Sequence, residues 1–319
     1  MAGFSTANMT NLTRTTLWSN QLKDILLDDL IGMRWVDMIT DFPDGDTINI
    51  PSVGQMEAMD YNEGQAIRYT ALDTGNFAFT ISKYKQSATY VTRKLMQDSF
   101  YMARVQAMFV PKMRRAISKV METDMLATGP NAQTTANSNT INNAKHRFIG
   151  SGTNETISVD DFANVLYALK KANVPATNLV GIVDPSVENL FNKQTNLVNF
   201  TNPNPNWASI IETGIASDMR FSRNIMGIDI YVSQNLKQNT ASETIDGVTA
   251  AAGVNNIFFS AASDLIPIVG LVRQPVQVDY EFNKDKQRDE WVTTCRYDFA
   301  LYRPENFVTV VTDTDQVYV

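Results

Sequence analysis

The chain contains one His and one Cys, and these two residues bound the chemistry open to it. Zinc sites built from imidazole and thiolate draw several such ligands from one chain, so a structural zinc centre of that kind is excluded. An intramolecular disulfide is excluded too. A triad built on imidazole would have to use His146 alone. His146 stands between Lys145 and Arg147 in an Asn-, Thr- and Ser-rich connector, which reads as an exposed surface imidazole. Cys295 falls in step with Trp291 and Tyr297 on the apolar side of an alternating pattern. That reads as a buried structural thiol, not a nucleophile. Asp28-Asp29 and Asp160-Asp161 are adjacent pairs. Neighbours on a helix do not face each other, so neither makes a good acid/base dyad. No Gly-x-Gly-x-x-Gly, phosphate loop or Gly-x-Ser-x-Gly turn occurs. The expectation is a protein that is not an enzyme and uses neither cofactor nor metal.

The remaining reactive or charged groups read as contact groups. Lys112, Arg115 and Lys119 recur at helical steps of three and four, a face that could meet a nucleic acid backbone or simply water. Yet 34 acidic residues outnumber 27 basic ones, for a net charge of −7. A protein that grips phosphates tightly normally shows the opposite balance. No run of eighteen apolar residues occurs, so no helix is expected to span a membrane.

The elements that must position these groups follow from periodicity. At 319 residues and 44% hydrophobic composition the chain has ample core for one large domain or two. Residues 1–16 read as an extended arm. Leu17, Trp18, Leu22, Ile25, Leu26, Leu30, Trp35 and Val36 recur at helical spacing, and Phe42-Pro43-Asp44-Gly45 stops that helix. Alternation then predicts strands around Ile48-Ile50 and Phe77-Ile81. A long polar excursion, residues 52–75, lies between them, which is unusual unless it reaches a partner. Residues 98–128 read as one helix of about 46 Å, with Val105, Phe109, Met113, Ala116, Ile117, Val120 and Met121 as its apolar stripe. Pro111 should kink it or mark a boundary, and Gly129-Pro130 should end it.

Residues 130–156 read as a connector. Ser158 and Asp161 have capping-box spacing before Phe162, Val165, Leu166 and Leu169. Leu179–Val183 reads as a strand, and Asp184-Pro185 as a helix start. Residues 194–206 read as an irregular loop, Ile228–Val232 as a strand, 237–256 as a polar loop, and Ile257–Phe259 as a strand. Val276–Phe282 and Trp291–Leu301 alternate strictly around a charged turn, the pattern of a long hairpin with one buried face.

That order of parts resembles the major capsid proteins of tailed bacteriophages, the Hong Kong 97-like fold. Leu17-Trp18-Ser19 with Leu22 looks like the start of the family's N-terminal helix. Gly45-Asp46-Thr47-Ile48-Asn49-Ile50-Pro51 looks like the opening of its extended loop. Met121–Gly129 looks like the end of its spine helix. Leu179–Pro185 and Gly227–Leu236 are similar to steps of its axial domain, and the closing hairpin to its peripheral sheet.

The resemblance implies an α+β fold with an N-terminal arm and helix (1–43) and an extended loop (44–92). It also implies a peripheral domain (93–150 and 270–312), an axial domain (151–269) and a C-terminal tail (313–319). The implied function is assembly through homo-pentamers and homo-hexamers into an icosahedral shell around double-stranded DNA, without sequence-specific binding. Partners would be copies of the chain itself, a separate scaffolding protein (the chain starts close to the arm), a portal and a cement protein, with no membrane. The place would be the virion capsid, assembled in the host cytoplasm. Assembly contacts are expected from Glu57, Asp60, Glu63, Arg68, Lys83 and Lys85 of the extended loop, and a DNA-facing surface from Lys112, Arg115 and Lys119. Residues 52–75 hold no Lys, so the Lys–Asn cross-link of some family members is not expected. Two alternatives stand beside this reading: an encapsulin-type compartment with the same fold, and an enzyme with an α/β domain at 157–269.

Overall fold

The computed structural model describes residues 30–40, 45–53, 58–60, 63–64, 66, 74–98, 102–133, 137–193, 221–250 and 253–313. The extended arm, the helix from Leu17, Glu57, Arg68, the irregular loop at 194–206 and the C-terminal tail beyond Asp313 lie outside the described residues.

The described chain opens with a 3-10 turn at Gly32–Trp35, followed by β1 (Asp37–Ile39). The expected helix therefore does not reach Phe42. Asp37, Met38 and Ile39 pair in parallel with Val269, Gly270 and Leu271, so a distant strand imposes extended geometry on residues whose spacing read as helical. Next come β2 (Thr47–Val53) and β3 (Thr74–Thr80), which among the described residues pair only with each other. β4 (Lys83–Thr92) leads into a short helix, α1 (Arg93–Asp98), and the long α2 (Met102–Ala132).

α2 is continuous through Pro111 and through Gly129-Pro130, where the sequence predicted a stop. Gln133 N–H still reaches the Gly129 carbonyl at 3.1 Å. Packing explains the persistence: Gly129 and Pro130 are buried, and a Cβ added to Gly129 would lie 2.1 Å from Cζ of Phe307. Contact at that range leaves room for no side chain. Gly129→Ala is expected to destabilise the protein by about 1–3 kcal/mol through overpacking, although Ala is intrinsically the better helix former by about 1 kcal/mol. A thermal melt that rises instead would overturn this account. Of the predicted stripe, Met113, Ile117 and Met121 are buried together with Met125 and Leu126, whereas Val120 is exposed.

The predicted connector folds into β5 (Thr140–Ile141), β6 (Ala144–Lys145) and β7 (Arg147–Ile149). α3 (Val159–Lys171) starts at the expected capping box: Ser158 accepts from Asp161 N–H, and Asp161 accepts from Ser158 N–H. β8 (Leu179–Val183) and α4 (Pro185–Lys193) follow, with Asp184 accepting from Ser186 N–H at 2.9 Å. Then come β9 (Phe221–Ile225), β10 (Ile228–Val232), β11 (Glu243–Ile245), β12 (Val248–Ala250) and β13 (Gly253–Ser260). Residues 237–256 are therefore no simple loop: β11 and β12 form a hairpin. Its turn residues Asp246 and Gly247 both have positive φ, as two-residue hairpin turns require. β14 (Ile268–Asn283), β15 (Arg288–Leu301) and β16 (Phe307–Asp313) complete the chain.

Two larger sheets organise these strands. One has the order β1-β14-β15-β4, the other β7-β16-β13-β8-β10-β9. The long hairpin is the one read from sequence, with register irregularities on either side of Gln274, beside Pro275, which cannot donate to a ladder. The six-stranded sheet is the middle layer. One face packs on Phe162, Val165 and Leu169 of α3 and Val187 of α4. The other packs on Ile117, Met121, Met125 and Leu126 of α2 and on Cys295, Tyr297 and Phe299 of β15. β7 and β16 sit in this sheet beside β8, β10 and β13.

Candidate assembly surface

The β2–β3 hairpin stands apart from both larger sheets. Its strands pair from Thr47↔Thr80 to Val53↔Thr74, and the two threonine hydroxyls meet at 2.9 Å. Its root is anchored: Phe79 and Ile81 are buried with Val269 and Leu271, and Ile48 and Phe77 pack against them. Phe77 meets Tyr302 edge-on at 5.3 Å. Further out, Pro51 and Asn76 are exposed, as are Asp60 and Glu63. An isolated two-stranded ribbon is marginal in water.

The returning strand is not part of the projection. β4 runs along β15 from Lys83↔Tyr297 to Thr92↔Arg288. Lys83 and Lys85, expected to meet a neighbouring subunit, lie 3.4 and 4.0 Å from Asp124 of α2 within the chain. Asp124 also accepts from the Tyr297 hydroxyl at 2.8 Å. Burial, then the bond and the charge of Asp124, push the Tyr297 phenol far up from its usual range, so it stays protonated as the donor. Both lysines thus tie β4 to α2.

On α2, Lys112 and Lys119 are exposed and Arg115 is half-buried. At 100° per residue they lie roughly opposite Met113, Ile117 and Met121, which face the core. The helix therefore offers one basic side away from the sheets.

The two candidate reactive residues are structural. Cys295 is fully buried, and its thiol donates to the Gln274 carbonyl at 3.2 Å. Burial pushes that thiol up from its ordinary pKa. His146 is not a surface residue: its relative exposure is 0%. Its ring nitrogens face the carbonyls of Ala144 and Glu305 at 3.1 and 3.2 Å, while its own carbonyl accepts from Thr309 N–H at 2.9 Å. Burial lowers the imidazole pKa, opposed by the two carbonyls and the Glu305 charge. With the folded pKa below the unfolded value near 6.5, both states are neutral above that pH. As pH falls below it the unfolded chain takes up the proton first, so stability is lost progressively through the folded pKa. Denaturation midpoints between about pH 7 and pH 5 should show this loss in the wild type and a smaller one in His146→Gln. Equal slopes would refute it.

Among the described residues no cluster of potential metal ligands occurs. A cleft of about 400 Å³ is lined by Lys145, Phe148, Asp161, Tyr167, Ile245 and Asp246. Its charged groups are already engaged: Asp161 caps α3, and Asp246 pairs with Lys145 at 2.9 Å.

Three polar joints escaped the sequence reading. Glu122 of α2, fully buried, accepts from the N–H groups of Ile31 and Gly32 at 2.9 and 3.0 Å. Arg147 of β7, also fully buried, pairs with Glu243 of β11, and Asn239 donates to the same carboxylate. Asp298 of β15 accepts from Ser82 at the hairpin root. Each joins residues far apart in sequence, so no local signal marks them.

A family model described as phage capsid protein matches residues 76–310. No curated protein matches the chain by sequence. Among solved structures, the capsid of cyanophage P-SCSP1u is similar with a TM-score of 0.70 and 14% identity, over 93% of this chain and 92% of that one. A structure from Mycobacterium phage Che8 has a TM-score of 0.66 and 17% identity, over 94% and 97%. The SrpI encapsulin of Synechococcus elongatus has a TM-score of 0.60 and 10% identity, over 93% and 94%. With the family model spanning most of the chain, and this α+β architecture shared with phage capsid structures over nearly its whole length, the chain belongs to the phage capsid protein family and is a capsid shell protein.

Proposed function

We propose that copies of this chain assemble through pentamers and hexamers into an icosahedral shell that encloses double-stranded DNA. The observation that carries the proposal is the β2–β3 hairpin. Among the described residues it is anchored at its root and pairs with no other strand of its own chain, so a neighbouring subunit is its natural support. Head-to-tail contacts of this kind close into rings, as capsomers require. Lys112, Arg115 and Lys119 would face the interior, where a basic helix face meets DNA phosphates without reading bases. The net charge of −7 keeps the enclosed DNA from adhering to the whole inner surface. Asp60 and Glu63, with Glu57 and Arg68, would set the register of the loop against its neighbour. Exposed pairs contribute only about 0–1 kcal/mol each. Assembly in the host cytoplasm with a separate scaffolding protein, a portal and a cement protein belongs to the same proposal, and the shell subunit itself carries out no reaction.

The second reading is an encapsulin-type compartment, favoured by the overlap with the SrpI encapsulin. Electron micrographs of the expressed chain should show closed shells of uniform diameter. Small oligomers only would overturn both readings. Nuclease-protected double-stranded DNA in particles from producing cells supports the capsid, and a protein cargo supports the compartment.

A further inference from the structure

The root of the projecting hairpin is built unusually tightly. β3 ends at Thr80 and β4 begins at Lys83, so Ile81 and Ser82 connect the returning arm of the ribbon to the main sheet. Ile81 is buried and its N–H donates to the Asp46 carbonyl at 2.9 Å, tying the link to the other arm of the ribbon. Ser82 meets one carboxylate oxygen of Asp298 twice: its N–H donates at 3.0 Å and its hydroxyl at 2.6 Å. The other oxygen of Asp298 accepts from Phe299 N–H at 2.9 Å and lies 3.9 Å from Lys83 Nζ.

The placement of Asp298 is informative. The last β4–β15 pair is Lys83↔Tyr297, and Asp298 stands one residue beyond it. Its side chain takes over where the backbone ladder stops. A carboxylate that accepts from both donors of one residue fixes direction as well as distance. Direction matters because the ribbon is a lever. Seven residues at about 3.3 Å each span about 23 Å. A turn of about 10° at the root then moves the far end by about 4 Å, beyond the tolerance of any hydrogen bond there.

We infer that Asp298 and Ser82 form a clamp that sets the angle at which the hairpin leaves the body, making Asp298 a positioning residue for the contact between subunits and so for shell curvature. This rests on the shell reading above. The clamp acts through the hairpin and needs no contact of its own with the neighbour.

The test uses the full chain with Ser82→Ala, Ser82→Thr and Asp298→Ala. Subunits are first compared by thermal melting, and particles by diameter distribution in electron micrographs. Ser82→Ala and Asp298→Ala should leave folded subunits whose closed shells of native diameter fall about tenfold, the equilibrium factor of one hydrogen bond to a charged group, with open or mis-sized particles in their place. Ser82→Thr keeps the hydroxyl and should assemble as the wild type does. A merely structural role would lower the melting temperature without changing diameter. Native yield and diameter in both deletion variants would overturn the clamp. Amide exchange in the dissociated wild-type subunit decides it independently of assembly: Ser82 N–H should be as protected as the interior of β4, and rapid exchange there overturns the inference. A wild-type chain that never forms shells would instead overturn the shell reading, and the exchange at Ser82 would then decide the clamp by itself.

Discussion

Replacing Glu243 by Ala is expected to destabilise the folded subunit by about 3–5 kcal/mol, the usual cost of leaving one half of a buried ion pair behind. The guanidinium of Arg147 is fully buried, and Glu243 is the one anion paired with it among the described residues. Two of its nitrogens, Nε and Nη1, have no hydrogen-bond partner among the described residues. Without Glu243 the charge would have no counter-ion, in a place where water does not reach. Lys237 stands close enough that the Arg147 charge adds to burial in lowering its pKa, so the site is already crowded with positive charge.

The same incompleteness predicts that the pair as a whole adds little. Changing both partners, Arg147→Met with Glu243→Leu, should come within about 1 kcal/mol of the wild type, because desolvation of the two ions offsets their attraction. The cycle is read from chemical denaturation midpoints, with amide exchange on β11 and β12 as the local signal. What the pair fixes is placement. It holds the β11–β12 hairpin against β7, beside the small cluster of Ile149, Ile245, Ala250 and Val311. A loss under about 1 kcal/mol in Glu243→Ala would show that the charge finds another partner.

Local signals carried the parts of the fold that depend on neighbours in sequence. Ser158 with Asp161 and Asp184 with Pro185 named two helix starts to the residue, because a cap is a chemistry of adjacent groups. Ile228, Ile230 and Val232 gave β10 from their alternation. The β11–β12 hairpin was missed when residues 237–256 read as a polar loop, although a local signal for it was present. Asp246-Gly247 lies between Ile245 and Val248, a two-residue turn with apolar flanks, hidden only by the polar composition around it. β1 was not legible, since Asp37–Ile39 becomes a strand only because β14 runs beside it. The burial of His146 has the same origin: Glu305 and Thr309, which enclose it, lie at the other end of the chain.

The candidate surface divides in the same way. That strands lie around Ile48–Ile50 and Phe77–Ile81 could be read from alternation. That Lys83 and Lys85 belong to the sheet could not. Their partner Asp124 sits on a helix forty residues later and carries no mark that separates it from the solvated acids.

Glu122 carries the second large effect, and the sequence offers it only as one more polar residue on a long helix. Its carboxylate accepts from Ile31 N–H at 2.9 Å, while Gly32 N–H is shared between both oxygens at 3.0 Å. Gly32 must come this close: a Cβ there would lie 2.2 Å from Cε of Met125. Glu122→Ala strands two buried N–H groups at about 1–3 kcal/mol each, and the emptied space gives no partner back. A loss of about 3 kcal/mol or more is expected in denaturation of dissociated subunits. Glu122→Gln keeps one acceptor oxygen but turns an amide group toward a donor, so an intermediate loss, about half, is expected, neutral hydrogen bonds being roughly half as strong as charged ones. The graded series matters because a mere cavity would spare the Gln variant. Exchange at Ile31 and Gly32 should quicken in the same order, while the interior of β13 should stay protected until global unfolding. Since Ile31 is where the N-terminal segment joins the described body, the Ala variant should also be cut more readily by protease just ahead of it. Wild-type exchange at Ile31 and Gly32 in the Ala variant would mean that the carboxylate is not what holds the segment to the helix.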